Sequence, residues 1–501
     1  MLVANRAEIA LRIIRACRDL GIETVAVYSD ADLGTAHVRA ADRAVRLGPA
    51  PAAESYLCIE RVVAAARAAG AEAVHPGYGF LSERADFGQA CIDAGLAFVG
   101  PAPTVLAGLG DKLAARRTAV AAGVPIVPGT LAPAPIDPSR LPALIEEAES
   151  IGWPLLVKAS AGGGGRGMRR VDRSGELAAA LSSASAEAAA SFGDGTVYLE
   201  RLVEGARHVE VQLLGDAHAV VALGERDCSV QRRHQKLIEE APAPGLDAAS
   251  RRVLHGYAVA MARAVGLTNA ATAEFLLEPD GNLRFLEVNA RLQVEHGVTE
   301  LVTGLDLVAE QIRLAAGQPL SEAAVAANAR ATEPLGHAIE VRISAEDPAR
   351  AFAPFPGTIR AWRSPSGPGV RVDGWVEPGT RIVGDYDPLL AKIMVLASDR
   401  PGALGRLRRA LDEVVVSGLQ TTLPFDRWLV RHPAFERAEL ATDFVDRHWH
   451  PAEAVRSAAA RAARAAIQAS ASADVPGVSP AWPRTAWRGA ALREGIDRWP
   501  R

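Results

Sequence analysis

Glu274-Phe-Leu-Leu-Glu-Pro-Asp-Gly-Asn-Leu-Arg-Phe-Leu-Glu287 runs directly into Val288-Asn-Ala-Arg-Leu-Gln-Val-Glu295, and the reading of these two stretches decides the fold. In the second, Glu287, Asn289, Arg291, Gln293 and Glu295 alternate with Val288, Ala290, Leu292 and Val294. A period of two places the polar five on one face of an extended segment and the apolar four on the other. A strand with one wet face would alternate in the same way, but Asn, Gln and Glu are poor strand formers. In the first stretch, Pro279-Asp-Gly-Asn282 is a turn signal between two strand-like runs. A hairpin centred between Asp280 and Gly281 pairs Glu274 with Glu287, their Cβ atoms roughly 5 Å apart. Carboxylates that close repel unless a cation lies between them. With the Asn289 carbonyl they form an all-oxygen set that suits Mg²⁺ or Mn²⁺. Fully extended, Glu287 to Glu295 would span about 26 Å, too far for one reacting centre. The run is therefore expected to leave the strand near Asn289 and curl, returning Arg291, Gln293 and Glu295 towards whatever the metal holds.

What the metal holds is suggested by Lys158-Ala-Ser-Ala-Gly-Gly-Gly-Gly-Arg-Gly-Met168, which includes Gly163, Gly164 and Gly165. Consecutive glycines after an apolar strand let backbone N–H groups wrap an anion. No Gly-Lys-Ser/Thr follows, so the pattern is not a Walker A loop. A flexible linker would also be glycine-rich, but a hairpin lid over nucleotide phosphates accounts better for the flanking Lys158 and Met168-Arg-Arg-Val171. Of 55 basic residues only four are lysine: Lys112, Lys158, Lys236 and Lys392. A chain so biased towards Arg is expected to use Lys where a compact point charge must meet a phosphate or small anion.

Composition bounds the rest. At 501 residues and 49% apolar, the chain can bury large cores in three or so compact units. A net charge of −4 gives no argument for nucleic acid or an anionic membrane. Cys17, Cys58, Cys91 and Cys228 share no metal-ligand spacing and read as reduced structural thiols. No secretory signal or long apolar run stands out, so a cytoplasmic protein is expected.

Residues 1–108 alternate short apolar strands with Ala-rich helices, which predicts a doubly wound α/β domain. A central unit, 109–325, carries the motifs above, with the lid at about 130–203. A third, α+β unit is expected at 333–447. Residues 450–501 turn Ala-, Pro- and Trp-rich and read as a linker. The loop His75-Pro-Gly-Tyr-Gly-Phe-Leu-Ser-Glu83 suits a structural turn as well as a ligand loop.

Ala4 to Ala10, His75 to Glu83, Lys158 to Met168, Glu225 to Lys236, Glu287 to His296 and Glu340 to Pro348 together resemble biotin carboxylase, the ATP-grasp component of biotin-dependent carboxylases. The resemblance covers about 1–447, in order. Tyr386 to Lys392 and Thr442 to His448 look like the α subunits of acyl-CoA carboxylases. The resemblance implies that Lys112, Lys158, the glycine lid, Met168, Glu200, His208, Gln231 and His234 contact ATP, and that Glu274, Glu287 and Asn289 bind divalent ions, two of them expected. It implies that Lys236, Arg291, Gln293 and the Val294 backbone hold bicarbonate, that Glu295 removes its proton, and that Arg342 steadies the biotin enolate. The implied partners are a carrier of biotin, a second copy in a homodimer or larger complex, and a carboxyltransferase subunit. No lysine here has Met on both sides, so either the carrier is expected on another polypeptide, or a truncated α subunit is expected here. The alternatives are a catalytically lost nucleotide-binding scaffold and another ATP-grasp ligase.

Four positions depart from the family pattern. Ala7 and Ala161 stand where Gly is usual, Gly297 where Pro is usual and Ala290 where Thr is usual. Ala7 and Ala161 are expected to be strained if the backbone there needs positive φ, and Gly297 to loosen the segment after Glu295.

Overall fold

The computed structural model describes residues 1–161 and 168–452. Gly163, Gly164 and Gly165 and nearly all of the predicted tail lie outside these residues. The N-terminal part opens with β1 (Leu2–Val3) and α1 (Ala7–Asp19), continued by β2 (Val25–Ser29), β3 (Arg43–Gly48), β4 (Ala73–His75) and β5 (Ala97–Phe98). These form a parallel sheet of order β3-β2-β1-β4-β5, the doubly wound arrangement expected from the alternation. The short first strand hands over at Asn5, whose Nδ2 donates to the carbonyls of Pro76 (2.7 Å) and Tyr78 (2.8 Å). Gly77 takes φ 64°, and a Cβ there would lie 3.0 Å from Asn5 Nδ2 and 3.1 Å from Ile9 Cγ1, so glycine suits the close approach of the loop after β4 to Asn5.

Helix α2 (Lys112–Ala121) starts where Asp111 accepts a hydrogen bond from the Leu113 N–H, an N-cap. The span in which a lid is expected folds as β6 (Leu155–Ala159), β7 (Arg169–Val171) and β8 (Val197–Arg201), an antiparallel sheet of order β7-β6-β8.

The remaining long strands are β9 (Arg207–Gly215), β10 (Val220–Asp227), β11 (Ile238–Ala241), β12 (Asn269–Leu277), β13 (Leu283–Asn289), β14 (His337–Ser344), β15 (Val370–Gly374) and β16 (Leu389–Ala397), with helix α3 (Ala248–Ala264) between β11 and β12 and α4 (His296–Thr303) after β13. All eight strands join one antiparallel sheet of order β13-β12-β9-β10-β11-β14-β16-β15. The sheet runs unbroken from the predicted central unit into the third. One face of β9, β12 and β13 presents Val209, Val211, Leu213, Ala271, Ala273, Phe275, Phe285 and Val288 to Leu254, Ala258 and Met261 of α3. Phe275 and Phe285 meet edge to face at 5.8 Å and are fully buried, each contributing about 2–3 kcal/mol through burial. The opposite face carries the charges.

The three parts are tied where they meet. Arg12 of α1 donates to Glu300 (2.8 Å) and Asp306 (2.6 Å), and Arg371 of β15 donates to the same Glu300 (2.6 Å). The Arg6 guanidinium lies between the rings of Trp375 and Tyr386, 4.9 and 4.4 Å from their centroids. The four cysteines are free thiols. No helix among the described residues is long and apolar enough to cross a membrane.

Candidate active site

The hairpin of β12 and β13 pairs Glu274 with Glu287, as the turn signal predicts, but by another route. Below Glu274 the register is one residue out: Phe275 faces Phe285 and Leu277 faces Leu283. Leu286 is the extra residue of a β-bulge that restores the pairing. The neighbouring strand extends the row, since Glu274 also faces Glu210 of β9 and Glu210 faces Arg226 of β10. Three carboxylates and a guanidinium therefore stand side by side across four strands. Asn289 lies two residues beyond Glu287, and its amide donates to Glu274 Oε1 (2.8 Å). Glu287 stays 30% exposed on its side chain, with the Lys112 ammonium 3.3 Å away, whereas Glu274 is buried. The oxygens of Glu274, Glu287 and Asn289 suit a hard divalent ion reached from the Glu287 side.

Beyond Asn289 the chain leaves the strand, as its length requires, and enters α4 at His296. The curl delivers Gln293 and Glu295 to Lys236. The Lys236 Nζ donates to Glu210 Oε2 (2.5 Å), Glu274 Oε1 (2.7 Å), Glu295 Oε1 (2.7 Å) and Gln293 Oε1 (3.2 Å). The second Glu295 oxygen accepts from Arg342 at 3.0 Å. Burial alone would raise the Glu295 carboxyl, but Lys236, Arg342 and Arg226 outweigh it and hold it well below the usual carboxylate range. Burial likewise opposes the charge on Lys236, and Glu210, Glu274 and Glu295 overcome it, leaving the ammonium well above its ordinary value. Arg342 in turn meets Glu239 Oε1 at 2.5 Å. Glu239 is fully buried, and burial pushes its carboxyl up to about 7 against the pull of Arg342.

Arg291 turns away from this hub. Its Nε lies 3.1 Å from Glu83 Oε2, and its Nη2 donates to Asn289 Oδ1 at 3.1 Å. The loop at His75–Glu83 is braced at its start by Asn5 and pairs with Arg291 through Glu83 at its end.

At the other end, Lys158 of β6 and Arg116 of α2 hold Glu200 of β8 from both sides, each at 2.6 Å. The Lys112 N–H donates to the Ser160 carbonyl at 3.0 Å, which ties α2 to the lid strand. His208 links Gln231 to the carboxylate row: Gln231 Nε2 meets its Nδ1 at 2.8 Å, and its Nε2 lies 3.1 Å from Glu274 Oε2. His234 sits in the turn between the short paired strands Gln231–Arg232 and Gln235–Lys236, with φ 64° and exposed to solvent. Met168 is half-buried at the edge of the described lid. The Val294 carbonyl accepts from Lys392 Nζ at 2.7 Å.

Glu210, Arg226, Glu239, Arg116 and Glu83 are site residues that the sequence reading left unassigned. For Glu210 the signal was present: His208, Glu210 and Gln212 alternate with Val209, Val211 and Leu213, the same period of two that singled out Glu287 to Glu295. Ala7 sits at positive φ, 59°, which meets the condition for strain, whereas Ala161 is not among the described residues at positive φ. One expectation about the departures needs correction. Gly297 does not loosen its surroundings, because the Met394 sulfur fills the space: a Cβ there would lie 2.2 Å from Met394 Sδ.

Three family descriptions match the chain in order. "Biotin carboxylase, N-terminal domain" matches residues 1–106, "Carbamoyl-phosphate synthase L chain, ATP binding domain" 111–323 and "Biotin carboxylase C-terminal domain" 340–447. The chain is 47% identical over 436 residues to biotin carboxylase of Pseudomonas aeruginosa, covering 87% of this chain and 95% of the other. It is 49% identical over 454 residues to the α subunit of mitochondrial methylcrotonoyl-CoA carboxylase from Oryza sativa subsp. japonica, covering 89% of this chain and 60% of the other. Among solved structures, the biotin carboxylase domain dimer of Hydrogenobacter thermophilus 2-oxoglutarate carboxylase, in complex with MgADP, ADP and bicarbonate, is similar at TM-score 0.85 and 42% identity over 90% of this chain and 97% of that one. Sequence, fold and the gathering of Lys236, Glu274, Glu295 and Arg342 agree, and the chain belongs to the biotin carboxylase family.

Proposed function

We propose that this protein carboxylates biotin, using ATP and bicarbonate and releasing ADP and phosphate. The observation that carries the reading is the grip on Glu295, with Lys236 on one oxygen at 2.7 Å and Arg342 on the other at 3.0 Å. Lys236 belongs to the ATP-binding part and Arg342 to the C-terminal part, so the carboxylate stands where a phosphoryl donor and a second substrate can meet. The relative solved with MgADP and bicarbonate supports the same substrates here.

In this reading Lys112, Lys158, Glu200, His208, Gln231, His234 and Met168 hold the nucleotide, together with Gly163, Gly164 and Gly165. Glu274, Glu287 and Asn289 would hold the divalent ion, which when bound neutralises charge on the phosphates. Lys236, Arg291, Gln293 and the Val294 backbone hold bicarbonate, and Glu295 takes its proton. A bicarbonate oxygen attacks the γ-phosphorus, the bond to the bridging oxygen breaks, and ADP leaves. Phosphoryl transfer needs a positioned nucleophile and compensation of developing charge, and the lysines and arginines supply both. Carboxyphosphate then splits into CO₂ and phosphate. The phosphate takes the proton from the biotin ureido nitrogen while Arg342 steadies the enolate oxygen, and the nitrogen bonds to CO₂. A biotin carrier and a carboxyltransferase are the partners this chemistry requires, and a homodimer is the assembly proposed.

The test is bicarbonate-dependent ADP release with biotin or an added carrier domain. Glu295→Gln should lose bicarbonate-dependent ATP cleavage by roughly a hundredfold or more. Arg342→Ala should keep part of that cleavage and lose carboxybiotin formation. Equal loss of both activities in both variants would overturn the assignment.

A further inference from the structure

Lys392 is the one lysine of the four to which this chemistry gives no task. It lies in the middle of β16 with a fully buried side chain. Its Nζ donates to the Val294 carbonyl at 2.7 Å and lies 3.5 Å from Glu8 Oε1 of α1. One ammonium therefore spans all three parts of the protein, and its hydrogen bond falls one residue before Glu295.

Arg342 and Lys392 are direct partners across β14 and β16, so their side chains leave the same face with Cβ atoms roughly 5 Å apart. Arg342 takes the Glu295 carboxylate (3.0 Å) and Lys392 takes the backbone just before it (2.7 Å). The Val294–Glu295 peptide is planar, so holding its oxygen sets the orientation of the whole unit and the direction in which the Glu295 side chain departs. Packing alone does not call for a cation here. A buried ammonium is costly unless paired, and an apolar residue of similar volume generally folds as well. This site nevertheless surrounds Lys392 with three buried carboxylates, Glu8, Glu340 and Asp373. Neither oxygen of Glu8 and neither of Glu340 has a hydrogen-bond partner, and the close hydrogen bond of the ammonium goes to the Val294 carbonyl.

We infer that Lys392 is a positioning residue, whose ammonium fixes the Val294–Glu295 peptide so that Glu295 meets bicarbonate in register with Lys236 and Arg342. The inference rests on the reading of Glu295 as the residue that deprotonates bicarbonate. It is tested in the full chain with Lys392→Met combined with Glu8→Gln, which removes the ammonium and the ionisable carboxyl nearest to it together. Glu8→Gln alone keeps the hydrogen bond to Val294. The double variant should lose at least about tenfold in kcat/KM for bicarbonate, with ADP affinity by calorimetry within about twofold of the parent. Glu8→Gln alone should stay within about threefold on both. Unchanged bicarbonate kinetics in the double variant would overturn the inference. So would parallel loss of ADP affinity, failure of the double variant to fold, or an equal loss in Glu8→Gln, each of which would assign Lys392 to holding the fold. A parent chain without bicarbonate-dependent ADP release would instead defeat the reading of Glu295.

Discussion

Gly297→Ala should destabilise the protein through a single contact, and the contact can be removed independently. A Cβ at position 297 would stand 2.2 Å from Met394 Sδ, and 3.4 Å from both Met394 Cε and Glu340 Oε2. Non-bonded heavy atoms rest at about 3.5–4 Å, so the sulfur must retreat by more than about 1 Å. Met394 is fully buried and packs with Ala241, Val298, Val302 and Ala338, which leaves it little room. Overpacking of this kind costs about 1–3 kcal/mol, and the flexible thioether favours the lower half of that range. Met394→Ala alone should cost about 2–5 kcal/mol, because it leaves a cavity. In the double variant the new methyl enters that cavity, so the two costs should fall short of additivity by about 1–2 kcal/mol. Denaturant unfolding of the four proteins in the cycle gives the coupling directly. The same samples should show reduced bicarbonate turnover in Gly297→Ala, since residue 297 lies in the first turn of the helix that follows Glu295. A Gly297→Ala protein within about 0.5 kcal/mol of the parent, with additive costs in the cycle, would refute the packing argument.

Arg226→Met should be more costly: Arg226 is fully buried and donates to Glu210 (2.5 Å), Gln212 (2.9 Å) and Thr299 (2.9 Å), and leaving Glu210 half-paired should cost about 3–5 kcal/mol in an unfolding experiment. Ala7→Gly removes a side chain from φ 59° and should raise stability by up to about 1 kcal/mol, less whatever the lost methyl contributed to packing; a fall of more than that would mean the left-handed geometry is unstrained. Burial pushes the Glu8 carboxyl from its ordinary 4.5 up to about 7 against the pull of Lys392. The native state then holds a proton that the unfolded chain releases, so this group's stabilisation is complete below pH 4.5 and is lost as pH rises through about 7. Glu8→Gln should reduce the fall in stability between pH 5 and 7 by roughly 2–3 kcal/mol relative to the parent, and parallel profiles would rule this out.

Some of this protein is written in local pattern and some is not. The alternation from Glu287 to Glu295, the turn at Pro279 to Asn282 and the excess length of an extended run are properties of a few neighbouring residues. They were enough to place Glu274 opposite Glu287 and to require the curl beyond Asn289. The turn did not reveal the bulge at Leu286, because a one-residue slip is a choice between two pairings of similar local energy, decided by which faces pack on α3. The glycine at 297 read as freedom, since a sequence cannot show a sulfur that arrives from 97 residues further along.

By itself the sequence determined the parallel N-terminal sheet, the carboxylate pair and the residues that resemblance assigns to bicarbonate, since period, turn chemistry and motif order survive without coordinates. Only the tertiary structure decided that the strands of the central and C-terminal parts form one sheet. That sheet places Glu210 beside Glu274, Arg342 beside Lys392 and all four around the curled segment. The reason is physical: a buried charge is stable only where an opposite charge and hydrogen-bond partners meet it, and those partners lie on strands remote in sequence. Each charge is visible along the chain, but its counter-charge becomes visible only when strand pairing brings the two together.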